Sequence, residues 1–199
     1  MISLGDNLLP YGGELYYIEN VFAPDTSEDY FQELVTSIRW KQEPIKIFGR
    51  EIMQPRLTAW YGDTNKPYTY SGITMQPSPW TASLAQIKLV ADQYSGADST
   101  SALLNLYRDG SDSMGWHRDN EKMLGPEPVI ASVNFGALRV FQMRDYDDKK
   151  NTISLELQPG SLVIMKGASQ RCWEHRVPKT SKKVGARVNI TFRVIAPTV

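Results

Sequence analysis

The chain contains two histidines, and both stand among residues that suit a metal. His117 lies in Trp116-His117-Arg118-Asp119, with a carboxylate two residues on. His175 lies far downstream in Cys172-Trp173-Glu174-His175-Arg176, ahead of a segment carrying Arg187 and Arg193. Two imidazoles and one carboxylate on one face of a ferrous ion leave the remaining positions open for a chelating co-substrate and for oxygen. Neutral imidazoles hold such an ion, and Asp119 offsets part of its charge. The His-x-Asp tripeptide is weak by itself. It gains weight from a distal histidine downstream and then two arginines on an alternating strand.

That strand reads as residues 186–195. Arg187, Asn189, Thr191 and Arg193 alternate with Val188, Ile190, Phe192 and Val194. Side chains two apart share a face, so one face is polar and the other apolar. A polar face turned into a protein interior needs an anion for its two arginines. Six steps cover about 20 Å at ~3.3 Å per residue, so arginines reaching toward each other can bracket a small dicarboxylate. The segment 103–107 behaves alike: Asn105 and Tyr107 share one face, Leu104 and Leu106 the other. Asn and Tyr on a core face imply a polar partner there.

Periodicity gives the elements that hold these residues in place. Residues 26–40 read as a helix, with Thr26 or Ser27 as cap and Phe31, Leu34, Val35 and Ile38 as its apolar stripe. A second helix is expected from about Thr81 to Tyr94, stopped by Gly96. The intervening stretch is rich in Pro, Gly and aromatics and reads as strands and turns. From residue 102 the pattern is almost wholly β, with strands at 103–107, 129–135, 138–143, 152–157, 162–165 and 186–195. The expected fold class is α+β, mainly β: two packed sheets or a jelly roll with helices on one outer face.

At 199 residues, 41% hydrophobic and 22% charged, the chain fits one soluble globular domain with a substantial core. No apolar run is long enough to cross a bilayer. The N-terminus lacks the basic start and apolar stretch of a secretory leader, which sets the expectation of a cytoplasmic protein. The one cysteine, Cys172, excludes an internal disulfide framework and reads as a small buried hydrophobe. Formal net charge is zero, but Lys166 to Arg193 holds eight Lys and Arg against one acid. A local basic face of that kind suits phosphates.

Three stretches carry a family resemblance. They are Asn105-Leu106-Tyr107-Arg108-Asp109-Gly110 through His117-Arg118-Asp119-Asn120-Glu121, Ile130 to Gly136, and Arg187 to Arg193. Together they resemble the AlkB-type 2-oxoglutarate and Fe(II)-dependent dioxygenases, over roughly residues 45–195, and in particular the subgroup that repairs alkylated DNA. The resemblance implies a double-stranded β-helix with an N-terminal substrate-recognition lid. It implies one catalytic domain: helices and lid over about 1–100, the iron and 2-oxoglutarate core over about 101–199.

It makes His117, Asp119 and His175 the iron ligands, and Asn105, Tyr107, Arg187, Asn189 and Arg193 the 2-oxoglutarate contacts. Arg193 would pair with the distal carboxylate, and Arg187 would lie near the metal-bound end. On the substrate side, Tyr68 and Tyr70 resemble the aromatics that flank a flipped base. Ile47-Phe48-Gly49 resembles a wedge, and Glu121 the acid beside the lesion. Arg56 and Trp116 join this set. Asn120 stands where duplex-acting relatives commonly have a second aspartate.

The implied activity is oxidative demethylation of 1-methyladenine and 3-methylcytosine in DNA, single- or double-stranded, with RNA also open. Fe(II), 2-oxoglutarate and O₂ would be used, by a monomer acting at the nucleoid or in the nucleus. An alternative keeps the cofactors but acts on a protein or a small molecule.

Overall fold

The computed structural model describes residues 2–47, 50–63, 68–70, 73–75 and 77–195, with residues 45–47, 50, 68–70 and 73–75 described by backbone alone. In chain order the elements are β1 (Glu14–Ile18), α1 (Pro24–Ser37), β2 (Pro44–Ile47), β3 (Arg50–Met53), β4 (Leu57–Gly62), β5 (Tyr68–Tyr70), β6 (Ile73–Met75) and α2 (Ala82–Ser95). Then come β7 (Ser101–Tyr107), β8 (Met114–His117), a 3-10 turn (Lys122–Leu124), β9 (Ile130–Gly136), β10 (Arg139–Asp145), β11 (Thr152–Leu157) and β12 (Ser161–Lys166). The chain ends its described part with α3 (Ser169–Cys172), β13 (Trp173–Val177) and β14 (Arg187–Arg193).

Two antiparallel sheets make the roll. The larger has the order β1-β12-β9-β14-β7-β4 and the smaller β11-β10-β13-β8. The hairpins β2-β3 and β5-β6 stand apart as two-stranded sheets. The expected jelly roll is therefore present, and both long helices lie on one outer face, against β9.

Alternation on β14 decides which side is which. Val188, Ile190 and Phe192 join Leu104, Leu106, Val133 and Phe135 in the core under the helices, with Leu34, Leu84, Ile87 and Ala91 from α1 and α2. Phe135 is fully buried, with Phe22 and Tyr30 edge-on or tilted against it at 5.4 and 5.7 Å. A second core lies between the sheets, built from Val163 and Met165 of β12, Phe141 and Met143 of β10, and Trp173 and Val177 of β13.

The helix limits differ a little from expectation. α1 starts at Pro24 after Ala23, with no side-chain cap, so neither Thr26 nor Ser27 serves. Proline at the first helical position lacks an N–H that would have no partner there, and Asp25 faces the positive first turn. α2 matches the expectation: Thr81 accepts from the Leu84 N–H, and Gly96 ends the helix with φ 74°. Strands β1, β8 and β13 were not expected from periodicity. Each is five residues or fewer, too short to establish a period. Among the described residues no helix is long and apolar enough to cross a membrane.

Phe135→Ala should cost about 3–5 kcal/mol of folding stability, because it empties a fully buried ring site remote from the polar pocket. Denaturant unfolding measures this. A loss under about 1 kcal/mol would show that the helices do not pack on β9 as described.

Candidate active site

β8 and β13 run antiparallel with His117 opposite His175 and Met114 opposite Val177. Three steps on β8 thus match two on β13, which is a β-bulge. Side chains three apart on a regular strand face opposite ways. The bulge lets both Met114 and His117 line the same pocket. Cross-strand pairing brings the imidazole rings to 4.2 Å between centroids.

His117 Nδ1 lies 2.9 Å from the Gly115 carbonyl. A carbonyl only accepts, so Nδ1 carries the proton and the Nε2 lone pair is left for a metal. That Nε2 is 3.7 Å from Asp119 Oδ1. The other carboxylate oxygen, Oδ2, accepts from Arg193 Nη2 at 2.7 Å. The Asp119 backbone N–H donates to Gln170 Oε1 at 2.9 Å, which ties Asp119 to α3. His175 is buried, with Phe141 at 5.5 Å, and its Nδ1 has no hydrogen-bond partner. One ligand atom from each of His117, Asp119 and His175 lies within 4.8 Å of the others.

Electrostatics put the three in ligating form. Burial pushes His175 down to about 3, with His117 adding to the shift. Burial also lowers His117, against the pull of Asp119. Burial opposes the charge on Asp119, but Arg193 and then the two histidines outweigh it and hold the carboxyl at about 2. Two neutral imidazoles and one carboxylate need lose no proton to bind a metal. The donor set fits Fe(II).

The rest of the pocket is built for an anion. Arg187 is 1% exposed; its Nη2 donates to Asn134 Oδ1, while Nε and Nη1 are buried without hydrogen-bond partners. Its Cζ stands 5.0 Å from the Tyr107 ring centroid. Burial lowers Arg187, which marks the cost of its charge in this place. Asn105 accepts from Arg56 Nε at 2.7 Å, so its amide nitrogen is turned the other way. A buried guanidinium with donors to spare, beside an asparagine and a tyrosine, fits a carboxylate.

All eight residues expected at the iron and the diacid line one pocket: His117, Asp119, His175, Asn105, Tyr107, Arg187, Asn189 and Arg193. The order of the arginines is reversed from expectation. Arg193 lies at the metal end, on Asp119, and Arg187 lies at the Tyr107 end. Alternation along a strand fixes a face but not which end meets the loop that carries Asp119. Asn189 also differs from a simple ligand contact. Its amide nitrogen is taken by Ser132 Oγ, the Val133 carbonyl and Asn134 Oδ1, so it braces the residue that holds Arg187.

The substrate-side residues are more scattered. Among the described residues, Arg56, Trp116, Asn120 and Glu121 stand outside the pocket lining. Arg56 is buried behind Asn105. Trp116 is flanked by the guanidiniums of Arg144 and Arg176, at 4.0 and 4.4 Å. Asn120 is exposed. Phe48 lies outside the described residues, as do the side chains of Ile47, Tyr68 and Tyr70. The basic stretch divides: Arg187 and Arg193 turn inward, and Lys179, Lys182 and Lys183 remain exposed.

Ser132, Asn134 and Gln170 support the site without being among the residues expected there. The first two were findable, since they alternate on β9 with Val133 and Phe135 as the polar residues of β14 do. Gln170 sits in a four-residue helix and gave no signal.

Comparison with known proteins agrees with this geometry. Residues 14–193 match the 2OG-Fe(II) oxygenase superfamily. The chain is 43% identical over 176 residues to human alpha-ketoglutarate-dependent dioxygenase alkB homolog 3, covering 83% of this chain and 60% of that protein. It is 35% identical over 188 residues to human DNA oxidative demethylase ALKBH2, covering 89% and 72%. A solved structure titled "The structure of OsALKBH1" has the same fold, with TM-score 0.69, 15% identity, and 93% and 99% coverage of this chain and that one. The chain belongs to the AlkB branch of the 2OG-Fe(II) oxygenase superfamily. It spans about 60% of the length of the alkB homolog 3 proteins it matches.

Acid should destabilise the metal-free protein in a defined window. Unfolded, His175 takes its proton near 6.5; folded, only near 3. Between those values the unfolded chain holds more protons, so stability falls as pH falls, by on the order of 1 kcal/mol per pH unit for this one group. Asp119 continues the loss below 3.8, since its folded value is about 2. Denaturation midpoints measured through this range should fall steadily. A flat profile from 6.5 to 4 would contradict the buried neutral His175.

Proposed function

We propose that this protein is an Fe(II)- and 2-oxoglutarate-dependent dioxygenase that removes N-linked methyl groups from bases in DNA, with 1-methyladenine and 3-methylcytosine as lesions. The observation that carries the reading is one pocket holding both a His-Asp-His ligand group and a buried guanidinium with donors to spare. The names of the relatives, a dioxygenase and a DNA oxidative demethylase, support the substrate.

His117, Asp119 and His175 would hold the iron by one face. With iron, 2-oxoglutarate and O₂ bound, such a site puts one oxygen atom into succinate, releasing CO₂, and the other into the methyl C–H bond, after which formaldehyde leaves the base. Arg193 occupies Asp119 Oδ2, which turns Oδ1 toward the metal position. Arg187, set by Asn134 and Tyr107, would take the distal carboxylate of 2-oxoglutarate, and Asn105, fixed by Arg56, would donate from its amide. Leu103, Met114, Phe141, Met165 and Val177 form apolar wall that keeps bulk water from the reacting atoms.

The hairpins between α1 and α2 would serve as the recognition lid, with Tyr68 and Tyr70 stacking on an extruded base and Phe48 filling the gap. Extrusion costs a few kcal/mol, and stacking returns about 1–3 kcal/mol per base. Exposed Lys179, Lys182 and Lys183 supply charge for the phosphate backbone. RNA would be open to the same chemistry. The protein would act as a monomer where nucleic acid is found.

The test is incubation with single-stranded and duplex oligonucleotides carrying 1-methyladenine or 3-methylcytosine. Formaldehyde and loss of one methyl group should appear only with added 2-oxoglutarate, and Asp119→Ala should reduce both to background. Succinate formation without methyl loss from any oligonucleotide would overturn the substrate assignment.

A further inference from the structure

Tyr107 is flanked by two guanidiniums. Arg187 Cζ stands 5.0 Å from its ring centroid, and Arg139 Cζ stands 5.5 Å from it. Arg139 opens β10, is 2% exposed, and shares the inward face with Phe141 and Met143. Its Nη1 donates to the Asp109 carbonyl at 2.9 Å, and its Nη2 to the Asp112 and Pro178 carbonyls at 2.8 and 2.7 Å.

Carbonyls satisfy donors but carry no formal charge. Among the described residues no carboxylate lies within 4.0 Å of the Arg139 guanidinium; the nearby Asp112 carboxylate is held bidentate by Arg108. Burial lowers Arg139, and Arg139 in turn lowers Arg187. Two buried like charges therefore face one phenol ring, and neither has a carboxylate in ion-pair contact, Asp112 and Asp109 acting on Arg139 only at a distance. Burying a guanidinium without a counter-charge is costly, and a like charge nearby adds to the cost. A dianion arriving at Arg187 relieves both.

We infer that Arg139 is a second cation of the diacid end of the pocket, a positioning residue that sets the preference for a distal carboxylate through its charge and through Tyr107. The inference rests on the dioxygenase reading, because it takes 2-oxoglutarate as the diacid. It is separable from a purely structural role. A clamp on three carbonyls would matter for any bound 2-oxo acid, whereas a charge at this end acts chiefly on the second carboxylate.

The experiment measures binding rather than turnover. Mn(II)-loaded protein, free of oxygen, is titrated calorimetrically with 2-oxoglutarate and with 2-oxopentanoate, which has the same chain length but no distal carboxylate. In R139M the dissociation constant for 2-oxoglutarate should rise about tenfold, the scale of one unit charge lost from a partly screened interior. That for 2-oxopentanoate and that for Mn(II) should stay within about twofold, and R139K should restore most of the loss. Equal weakening of both acids, or R139K as weak as R139M, would overturn the inference in favour of a structural clamp. If R139M does not fold, R139K alone decides: it must keep the wild-type preference for the diacid. A wild-type protein that binds Mn(II) but no 2-oxoglutarate would defeat the dioxygenase reading, and the inference with it.

Discussion

The ion pair between Arg193 and Asp119 joins the two sheets at the point where His117, Asp119 and His175 meet. Arg193 ends β14 in the large sheet, and Asp119 comes just after β8 in the small one; both are nearly inaccessible. Taking two charges out of water costs several kcal/mol per ion, and only close, hydrogen-bonded geometry returns it. The pair is at 2.7 Å, and the Asp119 backbone is tied separately by Gln170. The two carboxylate oxygens thereby divide their work, one facing the arginine and one facing His117. Neutral histidines result from the same burial, since a second or third cation there would have to share the one carboxylate already paired with Arg193.

The remainder of the roll supports that pair and its surroundings. β14 keeps its apolar face under the helices and its polar face over the pocket. Arg187, Asn134, Asn189 and Ser132 form one hydrogen-bonded chain across β14 and β9. A chain of this kind holds side chains in one arrangement better than isolated contacts do. It leaves the guanidinium aimed before any ligand arrives, which limits the ordering cost of binding. Preorganised charge in a buried pocket suits a chemistry in which a small diacid must be held in one pose.

Much of this was legible from residue types. The alternation Arg187-Val188-Asn189-Ile190-Thr191-Phe192-Arg193 placed a polar face opposite a core face, and the structure has both. The helical stripes led to α1 and α2 because each buries an apolar row on β9 and its neighbours. Three things were hidden, each for a physical reason. The bulge in β8 depends on pairing with β13 and leaves no mark in four residues. The direction of β14 relative to Asp119 is a matter of topology, so alternation alone does not tell which of Arg187 and Arg193 meets Asp119. Arg139 lies in an ordinary-looking strand, and only its three carbonyl partners and the closeness of Tyr107 mark it out.

His117, Asp119 and His175 are placed to bind one metal ion together. The most direct test is stoichiometric titration of the metal-free protein with Co(II), read by the ligand-field spectrum, beside the variants His117→Ala, Asp119→Ala and His175→Ala. One equivalent should bind with nitrogen and oxygen donors, and each variant should weaken binding by at least about a hundredfold, the upper end of what loss of even a supporting group costs. Unchanged affinity in any one of the three, or a spectrum with no imidazole contribution, would contradict it.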